Sequence, residues 1–323
     1  MPEPAAAALA AFLDAELAAP VPEGVLAVAE AVRRRHGEAV AAILFYGSCL
    51  RRAATEGVLD FYVLVDRYRP VHRSATLAAL NWLLPPSVFY LEHPVRGELL
   101  RVKYAVISTR DFLRAAGPRP LDGRIWARFC QPARLLFARD VEARRAALEA
   151  VARATSTAIE RMRSWLPGGD SVQRFRPAEL WRNGFRETYR AELRTESAAT
   201  IDALYESDAE RFDRVAALAL QSFEGAGRLR LLRADAWIEI ESDPAARARS
   251  RFAWRLRRPL AKAIAIAGLL KTPATFDGWA AYALWKLERH TGVHIELTER
   301  QRRHPMLWGW PVFFRVLRQR VLR

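Results

Sequence analysis

Runs of apolar residues divide the first third of the chain into short strands and flanking helices. The segment VLAVAEAVRRRHGE has helical periodicity, and the apolar run AVAAILFYGS after Gly37 predicts a strand that ends in a tight turn. Strands are also predicted at VLDFYVLVD, SVFYLE and ELLRVKYAVIS, which are rich in β-branched and aromatic residues. A predicted helix over residues 77–84 separates the second strand from the third. This order predicts an α+β domain in which helices flank a small mixed sheet.

The rest of the chain has a mainly helical pattern. Residues 140–162 are periodic and rich in alanine and arginine, and the Pro-Gly-Gly sequence at 167–169 breaks this pattern. Residues 176–221 again predict helices, and RLRLLRADAWIEIES predicts a strand pair, as in a winged-helix arrangement. We therefore expect a catalytic domain at 1–165, a helical winged-helix-like domain at 170–247 and a basic, aromatic segment at 248–323.

Charge and cysteine usage narrow the classes of partner and compartment. The net charge of +15 comes mostly from arginine and favours nucleotide triphosphates, phospholipid headgroups or nucleic acid. Cys49 and Cys130 form no CxxC pair, which fits a reducing cytoplasm and indicates neither a disulfide framework nor a zinc site. The alanine-rich N-terminal segment contains acidic residues and predicts a short surface helix, not a secretory signal. The longest apolar runs fall below the roughly 18 residues of a membrane span, which predicts a soluble or peripheral protein.

The candidate chemistry lies in FYGSCLRRAATEGVLDFYVLVD. Gly47 and Ser48 follow the first predicted strand, and a turn with little side-chain bulk lets backbone amides approach a triphosphate. Asp60 lies between Leu59 and Phe61, in a strand that otherwise excludes charge, where a carboxylate is costly unless a cation or hydrogen bonds compensate it. The pattern predicts a nucleotide site at the turn and an Mg²⁺ ligand at Asp60.

A second metal ligand is harder to place. Sites of this type usually carry another carboxylate two positions further on, where this chain has Tyr62. Asp66 lies on the same strand face, but six residues separate it from Asp60 by roughly 20 Å, so we interpret it as a strand-end residue. Glu92, at the end of SVFYLE, is the predicted second ligand; a solvated strand terminus is the alternative.

Three segments together resemble a known family. YGS, LDFYVLVD and GELLRVKYAVIST occur in this order in the mitochondrial-type phosphatidate cytidylyltransferases, also called translocator assembly and maintenance proteins. The resemblance covers residues 40–140. RIWARFCQPARLL is similar to the family's GRLxKPV-like stretch, from which Ala127, Phe129 and Gln131 depart. The resemblance implies a nucleotidyltransferase fold that uses Mg²⁺ to convert CTP and phosphatidic acid into CDP-diacylglycerol and pyrophosphate.

The resemblance also implies roles for individual residues. Tyr46, Gly47, Ser48 and Lys103 would bind the nucleotide, with Ser48, Lys103 and Asp60 acting in catalysis. Lys103 would supply positive charge to the phosphates, and its alternative is an exposed strand lysine. The dianionic phosphatidate can attack without a dedicated general base, because its second phosphate pKa is about 6.

A lipid substrate implies contact with an anionic membrane surface. Arg255, Arg257 and Arg258 are predicted to contact the phosphatidate headgroup; a solvated helix face is the alternative. In a helix over residues 312–322 the apolar side chains would fall along one side, which predicts membrane contact or packing on the protein's own domain. We expect a cytoplasmic protein, peripheral on the inner face of a membrane. Nucleic acid is not expected, because glutamates in 176–194 favour a salt-bridged helix surface.

Two other functions stay open from the residues alone. One is a nucleotidyltransferase that modifies a protein, a small molecule or an RNA end, since positive charge serves each of these acceptors. The other is a noncatalytic nucleotide-binding protein or membrane adaptor, for which Tyr62 in place of a carboxylate is the best argument.

Overall fold

The computed structural model describes residues 4–52, 57–166, 171–191, 197–234 and 237–275 of the 323. The strands are β1 Val40–Tyr46, β2 Val58–Val65, β3 Ser87–Val95, β4 Glu98–Ser108, β5 Ala133–Ala138, β6 Val172–Phe175, β7 Leu231–Ala234 and β8 Ile238–Glu241. The α-helices are α1 Pro4–Leu17, α2 Glu23–His36, α3 Ser48–Arg51, α4 Ala75–Leu83, α5 Thr109–Ala115, α6 Arg124–Phe129, α7 Val141–Trp165, α8 Pro177–Ala191, α9 Ala198–Glu206, α10 Ala209–Gly225 and α11 Pro244–Thr275.

The first five strands form one mixed sheet in the order β3-β4-β2-β1-β5. Strands β2 and β4 run parallel, and the other neighbouring pairs are antiparallel. Strand β1 is buried along almost its whole length and β2 along most of it, as expected for central strands covered on both faces. The α+β prediction is confirmed, and all four predicted strands are present.

The two faces of this sheet pack against different helices. The front face carries Leu44, Tyr62 and Ala105, which share one hydrophobic cluster with residues of α1, α5, α6 and α7. The back face carries Phe45, Phe61 and other apolar residues that pack on α2 and on part of α4. Side chains alternate between the faces because the strand repeat is two residues. Every second residue of β2 therefore points to the front, and Asp60 and Tyr62 are among them.

The second part of the chain is mainly helical, as predicted. Helices α8 to α10 accompany a small sheet in the order β6-β8-β7, which gives the winged-helix-like arrangement. Its buried residues belong to the same cluster as the front face of the large sheet, and α7 contributes to both. Arg211 of α10 pairs with Glu16 of α1 at 2.6 Å, with both side chains almost fully buried. The two parts thus share one continuous core.

Several features differ from the sequence predictions. Strands β5 and β6 were not predicted; β5 completes the large sheet beside β1, and β6 pairs with β8 in the small sheet. Helix α1 is present as expected, but it is not a surface helix, because Leu9, Leu13 and Leu17 are buried in the main core. The four-residue spacing of these leucines places them on one helical face.

Candidate functional site

The turn after β1 requires glycine at position 47. Gly47 has a φ of 94° and a ψ of −167°, a conformation that L side chains rarely adopt. A Cβ atom there would lie 3.0 Å from Oδ2 of Asp60, so even a methyl group would press on the carboxylate. Gly47 and Asp60, which the sequence predicted to share a site, therefore lie next to each other.

One row of side chains crosses the front face at the level of Gly47. Strand pairing places Tyr46 opposite Asp60, Asp60 opposite Lys103, and Lys103 opposite Tyr90. The row therefore spans β1, β2, β4 and β3. One strand level deeper, Tyr62 and Ala105 belong to the apolar core. The charged row thus lies where the front-face core ends.

Asp60 and Lys103 form an ion pair within this row. The Lys103 Nζ lies 2.9 Å from Asp60 Oδ1, and the two side chains are 34% and 22% exposed. A half-buried ion pair loses hydration on both partners, and its net contribution to folding stability is small. The pair therefore places one negative and one positive charge side by side in the row, next to the glycine turn.

Ser48 begins the short helix α3 directly after the turn and is exposed. Cys49 ties this helix to the start of β2, because its Sγ donates to the carbonyl of Val58 at 3.3 Å. At the end of α3, Arg51 donates from Nη1 to Oε1 of Gln131 at 3.1 Å. The turn, α3 and the segment before β5 are thereby joined around the end of β1.

Glu92 lies on β3, two strands away from Asp60 on β2. It lies on β3 opposite Arg101, and β4 separates its strand from β2. Its Oε1 accepts from Nε of Arg101 at 3.2 Å and from the hydroxyl of Tyr90 at 2.9 Å. The carboxylate of Glu92 is thus engaged with neighbours on β3 and β4.

The predicted lipid-binding arginines lie on α11, at three different positions around the helix. Arg255 is exposed, Arg257 donates to the carbonyl of Pro118 at 3.5 Å, and Arg258 pairs with Glu187. Strand pairing does not connect them with the row of Asp60 and Lys103. The predicted helix over residues 312–322 lies outside the described residues.

Two further cations, Arg124 and Lys271, were not predicted from the sequence, and Arg124 lies near Tyr62 of the front face. Arg124, at the start of α6, pairs with Asp122 at 2.9 Å and interacts electrostatically with Tyr62. Lys271 of α11 has its pKa lowered to about 8, first by burial and second by the positive charge of Arg124. Nothing in the local sequence distinguishes Arg124 and Lys271 from the many other cations of the chain. They come together only because α6 and α11, which are far apart in the sequence, pack near each other.

Asp60 is the carboxylate of the row that could ligate a metal ion. Among the described residues, no group of three His, Cys, Asp or Glu side chains could hold a metal. Mg²⁺ keeps several waters and commonly uses one or two carboxylates together with substrate phosphates. Asp60 fits that requirement as the single protein carboxylate, and phosphates would complete the coordination.

Comparison with known proteins adds no family assignment: no protein-family model matches the chain, and no curated protein matches it. Within the described ranges, no helix is long and apolar enough to cross a membrane.

Proposed function

We propose that this protein is a nucleotidyltransferase that transfers the cytidylyl group of CTP to phosphatidic acid, giving CDP-diacylglycerol and pyrophosphate. The observation that carries the proposal is the half-buried Asp60–Lys103 pair, 2.9 Å apart, beside the glycine turn at Gly47. A carboxylate, a fixed cation and a turn without side-chain bulk are what a metal-bound triphosphate needs.

The turn and the lysine would divide the work of binding the triphosphate. Gly47 and Ser48 offer open backbone and a hydroxyl at the end of β1, where Ser48 is exposed. Lys103 holds a positive charge at a fixed place on β4, where it would neutralise charge on the phosphates. The rigid central strands β1, β2 and β4 keep these groups in register, which lowers the entropic cost of orientation.

The proposed reaction needs positioning and charge neutralisation more than proton transfer. A phosphatidate oxygen attacks the α-phosphorus of CTP, a new P–O bond forms, and the bond between the α-phosphorus and the bridging oxygen to the β-phosphorus breaks. The electron pair of that bond leaves with pyrophosphate. Because phosphatidate is largely dianionic near neutral pH, its second pKa being about 6, no side chain has to remove a proton.

Asp60 is the residue that would hold Mg²⁺ in this site. When bound, the ion withdraws charge from the phosphate oxygens and orients the leaving group. The Oδ1 atom of Asp60 is paired with Lys103, whereas Oδ2 faces Gly47. Lys103 and the ion would therefore both neutralise this carboxylate and the triphosphate next to it.

The choice of lipid as acceptor is supported by the order of YGS, LDFYVLVD and KYAVIS, and by positive charge. The first two segments supply β1, the turn and β2, and the third supplies β4 with Lys103. A protein peripheral to an anionic membrane surface would reach such an acceptor without crossing the bilayer.

The decisive experiment is a reaction of the full-length protein with CTP, Mg²⁺ and phosphatidic acid in mixed micelles. CDP-diacylglycerol and pyrophosphate are measured together, with ATP in place of CTP and with phosphatidic acid omitted as matched controls. We expect both products from CTP and phosphatidic acid only. Nucleotide consumption without phosphatidic acid would indicate another acceptor, and no turnover with any nucleotide would contradict enzymatic function.

A noncatalytic nucleotide-binding protein is the second candidate, and one observation favours it. Asp60 is the only carboxylate in the row across the front face, and Lys103 neutralises it. Nucleotide binding measured by calorimetry in the absence of any turnover would support this second function.

A further inference from the structure

Helix α11 has one buried face and one exposed apolar face. Trp254 and Ala261 belong to the buried face and are 4% and 5% exposed. On the opposite side, five large apolar side chains are each between 48% and 75% exposed, and we call them the α11 stripe: Phe252, Leu256, Leu260, Ile266 and Leu270. Most are four residues apart, so they form one line along the helix, roughly 27 Å long for 18 residues at 1.5 Å each.

The stripe ends beside a second exposed apolar pair on the catalytic domain. Trp82 and Leu83, at the end of α4, are 68% and 72% exposed. Lys271, next to Leu270, donates to the carbonyls of Leu84 and Pro86 at 2.5 and 2.7 Å. These bonds fasten the end of α11 to the chain that follows α4. The α11 stripe together with Trp82 and Leu83 is hereafter called the docking face.

The charge of α11 indicates what this face contacts. The 32-residue helix contains six arginines, two lysines and no aspartate or glutamate. Arg255 and Lys262 are exposed on one flank of the stripe, and Arg249 is exposed on the other. An apolar line flanked by cations suits the interface of an anionic bilayer, where the apolar side chains enter the headgroup boundary and the cations meet lipid phosphates.

We propose that the docking face binds the surface of an anionic lipid bilayer, with α11 lying in the plane of the interface. A second copy of the chain is a poorer occupant, because a symmetric contact would bring two acid-free cationic helices together. The proposal deepens the proposed function by naming the surface that would meet the lipid substrate. It rests on that function only for the identity of the lipid, since bilayer binding needs no nucleotide.

Binding of the full-length protein to vesicles tests the proposal in the absence of CTP. Vesicles of phosphatidylcholine alone are compared with vesicles that also contain phosphatidylglycerol, and bound protein is measured by flotation. We expect binding to the anionic vesicles that weakens as salt is raised. The double variant Leu256→Ser/Leu260→Ser should bind at least about tenfold more weakly than the parent, because two exposed apolar contacts are lost.

Matched variants separate the docking face from other surfaces. Val141→Ser changes a 70% exposed apolar residue on α7 and should leave binding unchanged. Trp82→Ala/Leu83→Ala should weaken binding, because both residues belong to the docking face, and Arg255→Gln/Lys262→Gln should weaken binding to anionic vesicles only. Circular dichroism and thermal unfolding check that each variant is folded.

Three results would overturn the proposal. The parent protein could fail to bind anionic vesicles, or the Leu256→Ser/Leu260→Ser variant could bind like the parent, which would place the lipid contact elsewhere, such as residues 276–323. The parent could also be a dimer by light scattering that this variant dissociates, with equal vesicle binding, which would make a second copy the occupant. The enzymatic reaction is measured separately with a soluble short-chain phosphatidate and no bilayer, so that a loss of activity is distinguished from a loss of membrane binding.

Discussion

Strand β2 carries two aspartates, one near its start and one directly after its end, and their surroundings differ. Asp60 is 22% exposed and pairs with Lys103 of β4, beside the glycine turn. Asp66 is 51% exposed and pairs with Arg139, which follows β5, at 2.6 Å. Both carboxylates therefore have a cation from a neighbouring part of the sheet, but only Asp60 lies in the row across the front face.

The difference shows that an ion pair by itself does not identify a site. Exposed pairs such as Asp66–Arg139 contribute about 0 to 1 kcal/mol to stability, and their geometry has no further consequence. Asp60 is instead held next to a turn that admits no Cβ, on a face that becomes apolar one level deeper. The combination of charge, burial and open backbone separates a candidate site from a surface contact.

The largest expected effect is the loss of activity when the charge of Asp60 is removed, compared with the same change at Asp66. Asp60→Asn keeps the shape of the side chain but loses the metal-binding charge, so we expect CDP-diacylglycerol formation to fall about a thousandfold. Asp66→Asn should change the rate less than about twofold, because it loses only an exposed pair. Rates are measured in mixed micelles under saturating CTP. Equal losses in the two variants would remove the distinction between the aspartates.

Lys103 and Arg139, the cations paired with these aspartates, should also differ in their effect on the rate, but less strongly. Lys103→Met removes positive charge from the row and should lower the rate about 30- to 100-fold, because a fixed charge next to the phosphates is lost. Arg139→Met should have little effect on the rate. Lys103→Arg restores charge with a different shape and should recover part of the activity. A Lys103→Met protein with parental kcat and KM for CTP would exclude a role for Lys103 in the reaction.

The smallest effect concerns the glycine turn, for which the chain offers a matched control. Gly47→Ala meets both a positive φ and Asp60 Oδ2 at 3.0 Å, whereas Gly37→Ala meets a φ of 58° with nothing within 4 Å. Both changes should cost about 1 kcal/mol in the free energy of unfolding from backbone strain. Only Gly47→Ala should also lower activity, by about tenfold, since it displaces the carboxylate. Chemical denaturation and initial rates are measured for both, and parental activity of Gly47→Ala would show that the close approach is unimportant.

Much of the fold followed from apolar periodicity, and the misses at β5 and α1 have physical causes. Strand β5 is a six-residue edge strand in which five residues are partly exposed, and it is preceded by Gln131 and Pro132, so its sequence offers a weak strand signal. For α1, the four-residue spacing of Leu9, Leu13 and Leu17 was a usable signal for a buried face. Alanine-rich composition concealed it, and the partner helices α7 and α10 lie far away in sequence.

The site was partly predictable for a similar reason. Gly47, Ser48 and Asp60 are linked by a short connection between adjacent strands, and local sequence patterns capture such links. Glu92 was predicted as a metal ligand, but its place depends on strand order, and β4 lies between β3 and β2. Arg124 and Lys271 come from distant segments, and the packing of α6 and α11 brings Arg124 near Tyr62 and Lys271 near Arg124.

The sequence by itself determined the class of the fold, the strands that carry Gly47 and Asp60, and the basic character of α11, because periodicity, turn chemistry and charge are local properties. The tertiary structure decided that Lys103 faces Asp60, that Glu92 pairs with Arg101, and that an apolar line on α11 stays exposed. These outcomes depend on strand order and helix packing, which follow from how the whole chain buries its apolar surface.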